Sequence, residues 1–230
     1  MTPSEIAVAV RHLKPRFLEG LALAETRAIL AAGKLRRYLA NSVVTNQGHP
    51  AEYLFLLLSG RARYFFLTPD GEKTVLLWLP PGELFGAATL VSRQVEYLVS
   101  TETVRNTTVL TWDRPTIREL ALRHPRLMEN ALLIAFDYLV AYRAKHISLT
   151  RHTARQRLAY VLVNLANGMG NKVAGGVELN ICNEELANEA NVTPFTASRL
   201  LSEWQRAGVV VKSRGRLLLR APEQLSLQEG

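Results

Sequence analysis

Side chains able to do chemistry are gathered most densely between Thr193 and Arg216. If residues 194–206 are helical, Phe195, Ser198, Arg199, Ser202 and Arg206 share a face, with Thr193 and Thr196 at its start. Such a row suits base edges and phosphates in a major groove. Arginine can donate two hydrogen bonds to guanine, and an aromatic ring can meet a thymine methyl. Lys212, Arg214 and Arg216 follow in a basic, glycine-containing segment suited to backbone phosphates. No carboxylate pair, nucleophile–base set, phosphate loop or metal-ligand spacing emerges, so an enzyme is not expected.

The elements that must position this row are legible around it. Asn183 reads as a helix N-cap, followed by Glu184 and Glu185 in the first turn and apolar Leu186, Ala187 and Ala190. Asn191 tolerates a left-handed backbone and so suits a sharp turn, with Val192 tucked between two helices. Thr193 is a second N-cap and Pro194 fits the first helical position. Ala197, Leu200, Leu201 and Trp204 then recur at i, i+3, i+4 and i+7 as a buried stripe, and Gly208 closes the helix. Val209-Val210-Val211 and Leu217-Leu218-Leu219 flank the basic turn as two strands of a wing. The spacing predicts a winged helix-turn-helix. Any helical hairpin shows similar apolar spacing, and basic turns are commonly just solvated, so a protein-contact role for the same surface stays open.

The chain has 230 residues and a formal net charge of +8, which favours an anionic partner. Residues 151–220 hold 10 Lys and Arg against 5 Asp and Glu, whereas residues 1–113 hold 12 against 10. The basic excess is therefore densest in the C-terminal part. The single cysteine, Cys182, excludes an internal disulfide or a four-cysteine cluster and reads as a buried, inert thiol. The first 20 residues have no apolar core of a signal peptide, and no apolar run is long enough to span a bilayer. A cytoplasmic protein without membrane attachment is expected.

Residues 1–15 read as a loose arm, and Phe17, Leu18, Leu21, Leu23, Ile29 and Leu30 as one or two short helices broken near Gly33. Short β-like runs follow at 43–44, 53–58, 62–67, 74–79 and 107–112, separated by glycine-containing turns. This texture predicts an antiparallel sandwich or barrel. From Thr116 the pattern turns helical. Met128, Leu132, Ala135, Leu139, Tyr142, His146 and Leu149 alternate at spacings of four and three, the seam of a dimerisation helix, with Leu133, Phe136, Val140 and Ile147 beside it. One stripe is expected on the β-domain and the other on a partner helix of a two-fold homodimer. A helix over 153–167, with core residues Leu158, Val161, Leu162 and Leu165, and a strand over 177–181 lead into the recognition unit. The expected division is a β-roll sensor domain at 1–113, connecting and dimerisation helices at 114–150, and a winged-helix DNA-binding domain at 151–230.

In this order these parts resemble the CRP/FNR family of bacterial transcription regulators. The likeness runs from about Leu21 to Leu219. Its landmarks are Asn46-Gln47-Gly48, Leu58-Ser59-Gly60, Asp70-Gly71, Pro81-Gly82-Glu83-Leu84-Phe85-Gly86, Asn164-Leu165-Ala166 and Thr196-Ala197-Ser198-Arg199-Leu200-Leu201. The resemblance implies an α+β fold: an N-terminal antiparallel β jelly roll like a cyclic-nucleotide-binding domain, a long dimerisation helix and a C-terminal winged helix-turn-helix. It implies a sequence-specific regulator that binds double-stranded DNA at a palindromic operator as a homodimer. It also allows an activating contact with RNA polymerase, to which no residues are assigned. The alternative from another class is a small-molecule sensor or regulatory module acting through a protein partner.

The departures concern the effector, which the sequence leaves unknown. Cyclic-AMP-binding members place a Glu after the glycine matching Gly86 and an Arg-Ser pair about ten residues on; here these positions hold Ala87 and Tyr97-Leu98. A buried cyclic phosphate would lack its charged partner, which argues against cyclic AMP. Gly86, Ala87, Tyr97, Leu98, Tyr142 and Arg143 are the residues expected around an altered or filled pocket. Arg93 or Arg105 could serve a different anion, but as surface charges they need no such role. One cysteine argues against the iron-sulfur branch, scattered histidines give haem no support, and no metal site is expected.

Overall fold

The computed structural model describes every residue except 1–2, 72, 214, 223–224 and 226–230. For residues 3, 4, 145, 148–151, 168 and 169 it describes the backbone alone. The chain folds as two compact units, residues 1–140 and 141–230.

In the first unit, α1 (Pro3–Leu13) and α2 (Leu23–Ala31) precede eight strands. These are β1 (Lys34–Tyr38), β2 (Val43–Thr45), β3 (Tyr53–Ser59), β4 (Ala62–Leu67), β5 (Lys73–Leu79), β6 (Leu84–Phe85), β7 (Ser100–Thr103) and β8 (Thr107–Asp113). They form two antiparallel sheets, ordered β1-β8-β3-β6 and β2-β7-β4-β5, the wrapping of a jelly roll. Strand β3 explains why its sequence is almost continuously apolar. Side chains alternate across a strand, and both faces of this one are covered. Leu54, Leu56 and Leu58 pack with the helices beside Trp112 and Ile117, whereas Phe55 and Leu57 face the roll interior with Leu79, Phe85 and Val109. Phe55 and Phe85 stack with ring centroids 4.7 Å apart.

Within the stretch read as a loose arm, residues 3–13 form α1, which buries Val10 and packs Ile6 and Leu13 on the same core, a spacing of i, i+4, i+7; residues 1–2 lie outside the described residues. Strands β1 and β7 escape a hydrophobicity pattern because they read KLRRY and STET. All four residues of β7 are nevertheless buried, with their polar groups paired. Thr101 Oγ1 accepts from Thr45 Oγ1 at 2.8 Å, and Ser100 Oγ accepts from the Gln47 N–H at 3.0 Å. Glu102 takes Arg63 Nε and Lys73 Nζ, each at 2.6 Å.

Helix α3 (Arg114–Arg123) starts on an Asp113 cap, and α4 runs from Arg126 to Arg151. Neither sequence-predicted stripe of α4 faces the roll. The side that does carries Leu127, Ala131, Ile134 and Tyr138, one residue out of step with the seam. Met128, Leu132, Leu133, Phe136, Leu139 and Val140 are all exposed, as is Ala135. Among the later seam residues Tyr142 and His146 are exposed, and the side chain of Leu149 lies outside the described residues. Tyr138 ties α4 to the roll: its hydroxyl lies 2.9 Å from Glu83 Oε2 and 3.2 Å from Leu84 O. Its ring meets that of Tyr64 edge-on at 6.0 Å.

The second unit holds α5 (Ala154–Met169), β9 (Asn171–Val173), β10 (Gly176–Leu179), α6 (Asn183–Glu189), α7 (Pro194–Arg206), β11 (Val210–Ser213) and β12 (Arg216–Leu219). The four strands form one antiparallel sheet ordered β11-β12-β10-β9. Their core gathers Leu158, Leu162, Leu186, Leu200, Trp204 and Leu217.

Burial opposes ionisation of Glu102, but the donors of Lys73 and Arg63 outweigh it and hold the carboxyl below the usual glutamate range. Glu102→Gln should therefore destabilise the chain by about 1–3 kcal/mol at neutral pH, less than a fully enclosed pair because Lys73 reaches solvent. A lowered folded-state pKa stabilises above the unfolded value, near 4.3, and that contribution is lost as pH falls through the folded pKa. Urea unfolding of both proteins at neutral and acid pH tests this. A gap that did not narrow on acidification would remove the charge from the explanation.

Candidate nucleic-acid interface

The N-cap of α6 is Cys182, with Asn183 as the first helical residue. The Glu185 carboxylate reaches back to accept from the Cys182 N–H at 2.9 Å, which fixes the start one residue earlier than the residue types suggest. Cys182 is exposed at this edge, contrary to the expectation of a buried thiol. At the other end Asn191 has φ +48. Its N–H reaches Asn188 O at 3.2 Å and that of Val192 reaches Ala187 O at 2.9 Å, the paired closing bonds of a Schellman motif. Carbonyls left over at the turn meet Arg157 of α5, whose Nε donates to Ala190 O at 2.9 Å and Nη2 to Asn191 O at 3.1 Å.

Thr193 then caps α7, accepting from the Thr196 N–H at 3.1 Å. The four buried residues of α7 are Ala197, Leu200, Leu201 and Trp204, the stripe its sequence predicts. Gly208, at φ +76, closes it as Asn191 closes α6: its N–H meets Gln205 O at 3.0 Å and that of Val209 meets Trp204 O at 2.9 Å. The two wing strands pair with Ser213 opposite Arg216.

The burial of that stripe leaves the predicted row outward. Phe195 is 77% exposed. Arg199 and Arg206 are exposed, and Ser198 and Thr196 half-exposed. Ser202 directs its hydroxyl to Ser198 O at 2.8 Å, and Arg206 Nε lies 3.4 Å from Ser202 O. Arg199 Nη1 donates to Glu203 Oε1 at 2.7 Å, while the other oxygen of Glu203 is bonded by Arg155 of α5. In the wing Lys212 is half-buried, and Arg216 lies 3.6 Å from Glu178. Arg214 lies outside the described residues. The positioning groups missed by sequence reasoning are Arg155, Arg157 and Glu203. Glu203 sits four residues after Arg199 and is legible as a helix pair. Arg155 and Arg157 bond partners 48 and 33 residues away, for which no local pattern exists.

In the roll, Gly86 has φ +80, and a Cβ there would come within 2.5 Å of Tyr53 O. Tyr97 is buried beside it. Its hydroxyl donates to Tyr53 O and accepts from the Tyr53 N–H, both at 2.9 Å, and burial pushes its pKa up. Ala87 opens the short turn that follows Gly86. Leu98 is 84% exposed and does not join them. Tyr142 and Arg143 are exposed, on the part of α4 that belongs to the second unit. The α4 side chain that packs with the interior of the roll is Tyr138, with Glu83 and Tyr64. Burial, reinforced by the neighbouring Glu83 charge, raises the pKa of both tyrosines.

A jelly roll followed by a winged helix with an outward basic row defines a DNA-binding regulator in two parts. Residues 35–124 match the cyclic nucleotide-binding domain family and residues 156–227 the Crp-like helix-turn-helix domain. The cyclic AMP receptor protein of Thermus thermophilus is 30% identical over 201 residues, covering 87% of this chain and 90% of that protein. The fold is shared with FixK2 from Bradyrhizobium japonicum, at TM-score 0.74 and 21% identity over 86% of this chain and 98% of that one. It is shared equally with the c-di-GMP-responsive global regulator CLP of Xanthomonas campestris, at TM-score 0.75 and 20% identity over 86% and 99%. The chain belongs to the CRP/FNR family and is a transcription regulator with a helix-turn-helix DNA-binding domain. Among the described residues no helix is long and apolar enough to cross a membrane.

The left-handed turn supplies a stability test. Asn191→Val should destabilise by about 1–3 kcal/mol in denaturant unfolding, whereas Asn191→Gly should stay within about 1 kcal/mol of the natural chain. Equal effects of the two would show that backbone strain does not govern this site.

Proposed function

We propose that the protein acts as a two-fold homodimer that reads a palindromic operator in double-stranded DNA through α7. The observation that carries this is the outward row on α7, with the Arg199 guanidinium oriented by Glu203 and that carboxylate steadied in turn by Arg155. Arg199 contacts a base, and Ser198 and Phe195 assist it. Thr193, Thr196, Ser202 and Arg206 border the approach, and Lys212, Arg214 and Arg216 hold phosphates. The homodimer is supported by the apolar face of α4, where Leu132 is 70%, Phe136 60% and Leu139 65% exposed in the single chain. A face of that kind is stable when a second copy covers it. The interface residues are Met128, Leu132, Ala135, Leu139, Tyr142, His146 and Leu149, joined by Leu133 and Phe136. The role places the protein with the chromosome in the cytoplasm, and contact with RNA polymerase would turn operator binding into activation.

The sensor domain does not take cyclic AMP in this reading, despite the Thermus relative's name. Ala87, Tyr97 and Leu98 supply no guanidinium for a buried phosphate, and the Tyr97 hydroxyl is already spent on the Tyr53 backbone. No iron-sulfur cluster is held by one cysteine.

Arg199→Ala should weaken operator binding by roughly 1–3 kcal/mol and relax preference at one base pair per half-site. Lys212→Ala should weaken all sequences alike and reduce the salt slope by about 1. Fluorescence anisotropy on a selected operator, at two salt concentrations, measures both, and unchanged affinity and preference in Arg199→Ala would remove its assignment. Leu132→Asp combined with Leu139→Asp should turn a sedimenting dimer into monomer while leaving the fold intact by circular dichroism. A variant that stayed dimeric would move the interface elsewhere.

A further inference from the structure

A cleft of about 580 Å³ lies between α1, the turn that follows it and α2, entirely within the first unit and apart from the residues proposed above for DNA and the dimer. Its volume falls in the range of small-molecule sites. Its walls are apolar: Ala7, Val10, Leu18, Leu23 and Leu30 line it. Leu23 is 57% exposed there, so the wall is incompletely covered by the chain itself. Cations stand among these groups. Arg11, Lys14, Arg16 and Arg27 all line the cleft, against the single carboxylate of Glu19. Arg16 is committed to Asp137 at 2.5 Å. Arg11, Lys14 and Arg27 are exposed and make no ion pair among the described residues.

The end of α1 fixes where one of these cations stands. Lys14 ends α1 at φ +45, a left-handed conformation that a lysine rarely adopts, and buried Pro15 follows it. The Lys14 N–H meets Val10 O at 2.9 Å, the closing bond of a left-handed helix end. Here it sets a cation at the edge of an apolar cleft.

We infer that this cleft binds a small amphipathic anion, a single-chain alkyl carboxylate whose tail lies against Val10, Leu18 and Leu30 and whose head meets Arg11, Lys14 and Arg27. An apolar wall alone would take any hydrocarbon, and the cations alone would take any anion in passing. Together they select a molecule with both features, because the tail's burial supplies affinity and the unpaired guanidinium groups supply orientation. A natural reporter stands behind the wall. Trp112 packs its ring 6.3 Å from that of Phe17, next to Leu18, and donates its indole N–H to Ile29 O at 2.8 Å, next to Leu30.

Titration calorimetry of the full chain with sodium decanoate, kept below its micelle concentration, tests the assignment, with decanol and decyltrimethylammonium as matched probes. Saturable one-site binding of decanoate is expected, at least tenfold tighter than either matched probe. Arg11→Ala combined with Arg27→Ala should weaken it at least tenfold while leaving thermal unfolding and operator binding unchanged. Arg105→Ala, away from the cleft, should leave it unaffected. In a proton–nitrogen correlation spectrum the Trp112 indole resonance should shift on binding. Similar binding of all three probes, undiminished binding in the double variant, an unmoved Trp112 resonance, or no saturable binding would each overturn the proposal.

Discussion

What the outward face of α7 can present depends on how the carbonyls at the end of α6 are satisfied. A helix leaves its last carbonyls without partners, and here the chain must reverse within three residues to start α7. Asn191 accepts the left-handed conformation, Val192 bonds back to Ala187, and Arg157 supplies the missing donors from α5. That single junction fixes where Thr193 begins the second helix. The phase of α7 follows from it, since the four buried residues lie on the side the junction turns inward and Phe195 and Arg199 are left on the other. Were the reversal one residue longer, the outward row would be about 100° out of phase.

This part of the fold was legible because its determinants are local. A cap, a proline, a left-handed asparagine and an i, i+3, i+4, i+7 stripe lie within twenty-odd residues, and each acts on its neighbours. The jelly roll was legible as a class for a related reason, since β3 and β8 carry apolar residues on both faces and turns punctuate them. What stayed hidden was non-local. β7 is a buried strand of polar residues, stabilised by Arg63, Lys73, Thr45 and Gln47 rather than by hydrophobicity. Glu203 was visible in sequence only as one half of a helix pair. Its second partner, Arg155, comes from another helix.

The register of α4 shows that an apolar pattern on a helix does not by itself say which face meets the roll. Apolar residues surround most of this helix, so a seam drawn at spacings of four and three is not unique. The stripe chosen by the roll is Leu127, Ala131, Ile134 and Tyr138, and it contains Asn130, whose side chain donates to Phe17 O and Glu19 O. A buried amide with two backbone acceptors sets rotational phase better than leucines can, because a shifted helix would leave it without them. The remaining apolar face is what the choice leaves over. Tyr138 completes the attachment by meeting Glu83 across from Tyr64.

Cys182 has a practical consequence. It is exposed, it caps α6, the first helix of the helix-turn-helix, and the chain holds no other thiol. One spin label or fluorophore can therefore be attached there without removing any residue elsewhere. In a two-fold assembly the pair of labels becomes a ruler across the two reading heads, able to record their separation on and off DNA in the unaltered sequence.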